Sequence, residues 1–281
     1  MSPLRRSIAG TVRGLFAEPG GTPRDPDADP FPAPPGQALF PADSPTRAVH
    51  GDVTAMMIGG ISALYLQMLH PGALAGVWDH SDFRKDMHGR LRRTARFIAI
   101  TTFGTRAAAD ATIARINAIH ARVTGTLPDG TPYRATDPDL LAWVHVTEAW
   151  SFLGAHLRYV NPAMPRHAQD RYYADMAVIA ARLGAPDMPE TRSAVEAYLR
   201  ATRPALRADA RVRSTAAALR NQPAPRPELA PFARITMQAG LDLLPGWARR
   251  MHDLRALPGQ RPATRIAAGT LRQTVSWAMA G

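Results

Sequence analysis

The stretch from Arg90 to Gly125 combines basic, hydroxyl and imidazole side chains with an apolar periodicity. Two arginines, a threonine and a phenylalanine are spaced at i, i+3, i+4 and i+7, which predicts that they share one helix face: Arg90, Arg93, Thr94 and Phe97. Guanidinium groups bind carboxylates in bidentate fashion, so a basic stripe beside an apolar interior is suited to an anionic ligand.

The segment that follows predicts a second helix with one histidine in an otherwise apolar stripe: Ile113, Ile116, His120 and Val123. We expect the two helices to meet near Phe103–Gly104–Thr105, with Thr105 as N-cap and Gly125 just beyond the C-terminus. A neutral imidazole in an apolar pocket is a good axial ligand for iron. A core histidine hydrogen-bonded to a carbonyl oxygen has the same spacing, and the pattern alone leaves both interpretations open.

Composition sets the broad class of the protein. The chain has 281 residues, of which 46% are hydrophobic, enough for a sizeable core. A Pro- and Gly-rich arm is predicted at residues 1–47, followed by a single all-α domain at 48–281. The absence of cysteine excludes disulfides, zinc–thiolate sites and cysteine-ligated haem. It is compatible with a reducing cytoplasm, the expected localisation, since the first residues do not read as a secretory signal.

The net charge of +11 favours nucleic acid or an anionic membrane as a partner. The arginines are dispersed, however, and no helix-turn-helix, zinc-finger or RNA-recognition motif occurs. We therefore predict no nucleic-acid binding, and keep weak association with an acidic membrane surface as an expectation.

An apolar run dominates the first half of the domain. Residues 53–78 carry no charged side chain apart from any protonated fraction of His70. We interpret 53–70 as a buried central helix that ends at His70–Pro71, with a membrane span as the alternative. Asp129–Gly130 predicts a short hairpin, and Pro138 opens a later helix in which Glu148 lies near an apolar face. Apart from this hairpin, the sequence contains no run with the period-2 alternation of a β-strand, which predicts an all-α fold.

Several segments, in this order and spacing, resemble the mpaB and rubber oxygenase (latex-clearing protein) family. They are LQMLHP at 66–71, RLRRT at 90–94, IHARVTG at 119–125, YRATDPDLLAWVH at 133–145, RYYADMAVIAARLGAP at 171–186 and LPGWARR at 244–250. The resemblance implies an all-α, globin-like helix bundle around a cofactor pocket. It also implies haem b as cofactor, dioxygen as co-substrate and oxidative cleavage of carbon–carbon double bonds in a hydrophobic, isoprenoid-like substrate.

The resemblance also assigns roles to individual residues. It implies that His120 is the proximal ligand of the haem iron. The family's Arg-x-x-Lys-Thr motif matches Arg90, Arg93 and Thr94, with arginine in place of lysine. Because a protonated guanidinium is a poor iron ligand, Arg93 is expected to hydrogen-bond to bound oxygen or to a propionate, and is the candidate catalytic residue.

Alternatives remain at several positions. His70 and His145 are rival axial ligands, and Asp79 is the acid nearest to the place where rubber oxygenase has a proposed base. Glu148 is either an interior acid or a partner of a nearby arginine. The residues expected to hold the substrate are Met56, Met57, Leu64 and Leu69.

Two other function classes compete with the haem oxygenase. A di-iron oxygenase needs about four inward glutamates, whereas this chain has five glutamates in all and only Glu148 in a central helix. A haem-free member of the same fold that binds a lipid or another small molecule is the stronger alternative, because fold does not fix function.

Overall fold

A computed structural model describes residues 5–6, 32–83 and 85–280 of the chain. The regular structure is helical apart from one short hairpin, which confirms the predicted all-α fold. Twelve α-helices occur in these residues: α1 Pro45–His50, α2 Val53–Gln67, α3 Pro71–His80, α4 Met87–Phe103, α5 Arg106–His120, α6 Pro138–Tyr159, α7 Arg166–Arg182, α8 Arg192–Thr202, α9 Ala210–Arg220, α10 Ala230–Leu243, α11 Gly246–Met251 and α12 Gln260–Met279. The hairpin strands are β1 Thr124–Thr126 and β2 Pro132–Arg134, and 3-10 turns lie at Arg203–Ala205 and Pro227–Leu229.

Helix α2 is the predicted central helix, and it contains no charged residue. It begins where the carboxylate of Asp52 accepts a hydrogen bond from the backbone N–H of Ala55 at 2.8 Å. It packs against α6 on one side and α10 on another. In the part of the chain that the structure describes, no single helix has the length and apolar composition of a membrane span. Only α2 and α3 together would reach it, and they bend by 104° at their junction.

Two glycines allow the backbones of these helices to approach closely. A Cβ atom on Gly59 of α2 would lie 2.8 Å from Cδ1 of Phe152 and 3.0 Å from the carbonyl oxygen of Ser151, both in α6. A Cβ atom on Gly240 of α10 would lie 3.0 Å from the carbonyl oxygen of Ile58 in α2. Helix α2 is therefore held between α6 and α10 at backbone contact distance.

The helices α4 and α5 join as the sequence predicts. Helix α4 ends at Phe103, and the hydroxyl of Thr105 accepts a hydrogen bond from the N–H of Ala108 at 3.2 Å, which confirms this N-cap. The irregular segment 32–44 is hydrogen-bonded to the junction between α4 and α5: the N–H of Ala33 donates to the carbonyl oxygen of Phe103 at 2.7 Å. Most of the predicted arm, residues 1–4 and 7–31, lies outside the described residues.

The prediction for Gly125 was wrong. Helix α5 ends at His120 with Ala121 as its C-cap, so Val123 of the predicted helical stripe lies beyond the helix. Gly125 lies in β1 opposite Tyr133 of β2. A Cβ atom there would lie 2.6 Å from the hydroxyl oxygen of Tyr133, so cross-strand packing explains the glycine. The predicted turn at Asp129–Gly130 does close the hairpin, with Gly130 at a φ of +87°.

We predict that Gly59→Ala destabilises the protein by about 1–3 kcal/mol, because the added methyl overlaps α6 where the helix backbone limits relief. Gly60→Ala is the matched control, since its Cβ would lie 3.8 Å from Cε1 of Phe152, an ordinary contact. It should leave stability unchanged or raise it by up to about 1 kcal/mol, through helix propensity. Urea unfolding measures both; equal effects of the two substitutions would contradict the close α2–α6 packing.

Candidate functional site

A cavity of about 800 Å³ lies between α2, α4 and α6, with His50 at the end of α1 also on its wall. This volume is in the range of sites for cofactors and small molecules, roughly 300–1,000 Å³. Most of its wall is apolar, and the contributing side chains come from three helices: Met56, Met57, Ile61, Leu64, Ile98, Ile100 and Phe152. Three of the four predicted substrate residues are among them, whereas Leu69 is buried in the core away from the cavity.

The basic stripe of α4 forms the polar wall of the same cavity. Of the four residues predicted to share a helix face, Arg90, Arg93 and Thr94 line it and Phe97 does not, whereas Arg92 and Arg96 line it too. The i, i+4 spacing of those last two arginines was a signal that the sequence interpretation did not use. The cavity thus combines a mostly apolar lining with several arginines of the N-terminal half of α4, which suits a ligand that has an apolar part and an anionic part.

The three predicted residues are not equally enclosed. Arg90 is half-buried, and its Nη1 donates to Oγ of Ser81 at 3.2 Å; burial, and then the charge of Arg93, lower the pKa of its guanidinium. The Arg93 side chain is 64% exposed, and its Nη1 lies 3.5 Å from Oδ2 of Asp86. The Thr94 hydroxyl donates to the carbonyl oxygen of Arg90 at 3.2 Å. Arg93 therefore lies at the edge of the cavity and can reorient toward a ligand, rather than facing a closed interior.

His120 is the last residue of α5, and it is not among the residues that line the cavity. Its Nδ1 atom is buried and has no hydrogen-bond partner among the described residues. Burial lowers the pKa of its imidazole, which keeps the ring neutral and able to bind a metal. Its neighbour is His145 of α6: burial, and then the nearby His120, lower the pKa of His145 to about 4.

Glu148 connects these histidines to the cavity. It lines the cavity wall, its side chain is 12% exposed, and Oε2 lies 4.0 Å from Nδ1 of His145. Burial raises the pKa of Glu148 to about 7. Since the neighbouring His145 is neutral in the same range, it supplies no charge to hold the carboxylate ionised. Glu148 is thus an interior acid, and no arginine bridge to it occurs among the described ion pairs.

His50 is a cavity residue that the sequence interpretation missed. Its Nδ1 lies 2.8 Å from Oγ1 of Thr102, and its Nε2 lies 3.2 Å from the hydroxyl oxygen of Tyr172. Burial, with His156 as a second cause, lowers the pKa of His50 to about 3. Both ring nitrogens therefore have partners, and the ring ties α1 to α4 and α7. No periodic pattern around His50 indicates this role, because its partners are 52 and 122 residues away.

The remaining candidates have structural partners outside the cavity. Nδ1 of His70 accepts from the N–H of Ala73 at 3.4 Å, so this histidine is the N-cap of α3. Asp79 accepts from the hydroxyl of Tyr133 at 2.8 Å and connects α3 to the hairpin. Within residues 32–83 and 85–280, no group of three or more histidine, aspartate or glutamate side chains is arranged to hold a metal ion.

Comparison with known protein families decides the classification. Residues 47–278 match the family described as ER-bound oxygenase mpaB/B′/rubber oxygenase, catalytic domain. The chain belongs to this family. The match covers every cavity-lining residue and extends from α1 to α12. No curated protein and no solved structure matches the chain. Membership of this family confirms the resemblance inferred from the sequence. It also supports oxygenase activity in general for this chain.

The high pKa of Glu148 predicts a specific pH dependence of stability. The folded state holds this proton more tightly than the unfolded chain, whose carboxyl has its ordinary pKa of 4.5. The stability contributed by the protonated form is therefore lost as the pH rises from the unfolded value through about 7. Glu148→Gln removes this loss, so the variant should gain on the natural protein by up to about 3 kcal/mol between roughly pH 4 and pH 8.

Urea unfolding across this pH range measures that difference. Glu190→Gln is the matched control, because Glu190 is an exposed glutamate outside the cavity. Parallel pH curves for Glu148→Gln and the natural protein would contradict a buried, cavity-facing acid.

Proposed function

We propose that the protein is a haem-b-dependent oxygenase that binds a hydrophobic, unsaturated, isoprenoid-like molecule in the α2–α4–α6 cavity. The proposed reaction is cleavage of a carbon–carbon double bond with dioxygen. The observation that carries the proposal is the cavity itself, in a member of an oxygenase family: apolar side chains of α2, α4 and α6 line most of it, and four arginines of α4 line it too. A hydrocarbon chain is complementary to the apolar part of the lining, and an anionic porphyrin edge is complementary to the arginines.

The apolar wall supplies binding energy and excludes water. Met56, Met57 and Leu64 lie along one side of α2, and Phe152 lies on α6. Each buried methylene group of a hydrocarbon ligand contributes about 0.8 kcal/mol, so a chain of several isoprene units gains enough to bind without polar contacts. The flexible methionines can follow an irregular chain, which favours substrates that differ in length.

The arginine wall is proposed to bind the haem propionates. Arg90 and Arg93 are one helical turn apart, and guanidinium groups form bidentate hydrogen bonds with carboxylates. Arg93 is at the edge of the cavity, where its guanidinium can donate a hydrogen bond to a propionate or to an oxygen atom of the ligand. When bound, haem b would supply the redox-active iron that dioxygen chemistry needs.

His120 is the residue that would hold the haem iron. Its ring is neutral and its buried Nδ1 has no partner among the described residues, as an iron ligand needs, although it is not among the residues that line the cavity. His145 shares both properties, and it lies closer to the cavity through its contact with Glu148. His70 is a weaker rival, since its Nδ1 already caps α3. The choice of His120 over His145 thus rests on the family resemblance of the segment IHARVTG, and on its position at the end of α5.

The cavity also supports the alternative of a haem-free protein that binds a lipid or another amphipathic small molecule. A fatty acid would place its carboxylate at the arginines and its chain along α2. Under this alternative the purified protein is colourless and carries lipid. Cytoplasmic localisation, the lack of a nucleic-acid partner and weak attraction to acidic membranes remain predictions from the sequence.

Activity tests the proposal directly. Protein expressed with a haem precursor should consume dioxygen when a short polyisoprene or squalene is added, and release carbonyl products detectable by mass spectrometry. Arg93→Gln should lower the rate roughly 10- to 100-fold if its hydrogen bond assists the reaction. Arg115→Gln, an exposed arginine on α5, is the control and should retain the natural rate. An absence of dioxygen uptake in haem-loaded protein with every unsaturated substrate would contradict the proposed reaction.

A further inference from the structure

A second pocket, of about 520 Å³, lies between α6, α10, α11 and the start of α12. Its wall combines apolar side chains with three arginines and one aspartate. The apolar members are Trp150, Leu157, Leu243, Leu244 and Pro245, and the charged members are Arg158, Arg249, Arg261 and Asp242. None of these residues lines the α2–α4–α6 cavity, so the function proposed above does not use them.

Asp242 is the centre of the charged group. Its side chain is only 4% exposed, and it accepts hydrogen bonds from three arginines. Nη1 of Arg158 lies 3.1 Å from Oδ2, Nε of Arg265 lies 2.7 Å from the same oxygen, and Nε of Arg261 donates to Oδ1. These contacts, despite burial, hold the pKa of Asp242 below its ordinary value, so the carboxylate is ionised.

The positive charge around this carboxylate is far from balanced. Arg249 adds a fourth guanidinium, with Nη1 3.1 Å from the carbonyl oxygen of Leu244 and 3.4 Å from that of Asp242. Four cations around one carboxylate leave a formal charge of +3. Burial lowers the pKa of Arg249, and the like charge of Arg261 lowers it further. Asp242 is the only acid on the described pocket wall.

Donor groups remain available on these arginines. Arg261 contacts Asp242 through Nε, and among the described hydrogen bonds its two terminal nitrogens have no acceptor. Arg158 bonds through Nη1 alone, again among the described contacts. Both side chains are about one-third exposed, at 38% and 30%, so they are accessible to a ligand from solvent. The pocket therefore offers converging guanidinium donors beside the ring of Trp150.

We propose that this pocket binds a phosphate group carried by a molecule with an apolar part. A phosphate dianion would offset most of the excess charge and accept the free guanidinium hydrogens in bidentate pairs. The indole of Trp150 and the side chains of Leu157 and Pro245 would cover the apolar part. A soluble phosphate ester and a phospholipid headgroup share this chemistry. The proposal does not depend on haem or on oxygenase activity.

The test in solution uses isothermal titration of the full chain with phenyl phosphate and with inorganic phosphate, at constant ionic strength. Phenyl phosphate should bind more tightly than inorganic phosphate, because only the ester has a ring to contact Trp150. Trp150→Leu should remove that difference and leave inorganic phosphate binding largely unchanged. Arg261→Gln should raise the dissociation constant of both probes roughly tenfold or more, as expected for a lost charge-assisted hydrogen bond.

Arg249→Gln is the second variant, because it removes a pocket cation but keeps the three ion pairs of Asp242, and it should also weaken binding. Arg171→Gln is the matched control, an exposed arginine on α7 outside the pocket, and should bind as the natural protein does.

A second arm uses vesicles of phosphatidylcholine with and without phosphatidic acid. Binding that requires phosphatidic acid and Arg249 identifies a lipid headgroup as the source, whereas binding of phenyl phosphate alone identifies a soluble ester. No binding in either arm would overturn the proposal. Equal losses for Arg171→Gln and Arg249→Gln would overturn it too, since the general positive charge of the surface would then explain the attraction.

Discussion

The burial of one helix without charges, α2, is the constraint on which the rest of the structure depends. Its apolar side chains are removed from water only by packing against neighbouring helices. Helices α6 and α10 approach its backbone closely, because Gly59 of α2 and Gly240 of α10 have no side chain at the contacts. This packing leaves the side of α2 that carries Met56, Met57 and Leu64 facing α4 across a cavity. The same helix is thus the core of the fold on one side and the wall of the candidate site on the other.

The facing wall is held by a different set of contacts. The ring of His50 connects Thr102 of α4 to Tyr172 of α7, and the segment 32–44 fixes the α4–α5 corner through backbone hydrogen bonds. These contacts lie at the C-terminal end of α4, whereas its N-terminal half carries the arginine stripe. Both ends of the helix are therefore held, because the N-terminal half is fixed by the N-cap at Asp86 and by the bond between Arg90 and Ser81.

Local patterns in the sequence predicted those features that local physics determines. Helix periodicity predicted that Arg90, Arg93 and Thr94 lie at the site, although Phe97 of the same predicted face does not line the cavity. The N-cap at Thr105 and the turn at Gly130 follow from short-range hydrogen bonds and backbone conformation. The error at Gly125 arose because its reason for being glycine is Tyr133, on another strand. Helix-ending and cross-strand glycines look alike when only neighbouring residues are known.

The surroundings of the titratable groups could not be predicted from the sequence either, because they depend on residues that are distant along the chain. Glu148 could be predicted as unusual, but its separation from arginines and its contact with His145 depend on how α6 packs. Likewise, the apolar stripe predicted that His120 faces the interior. It did not show that His120 lies near His145 and outside the cavity lining. The resemblance to the mpaB and rubber oxygenase family came from the order of several segments, each too short to be informative alone, and the family match over residues 47–278 confirmed it.

The most direct test of the account is the haem content of protein expressed with a haem precursor, measured by absorption spectroscopy and the pyridine haemochrome assay for the natural chain, His120→Ala and His145→Ala. The account predicts a Soret band and close to one haem b per chain in the natural protein. It also predicts loss or a marked spectral change in His120→Ala, and retention in His145→Ala. A colourless natural protein that does not take up added haemin would contradict the proposed haem site. An unchanged spectrum in His120→Ala would contradict the assignment of His120 as the iron ligand.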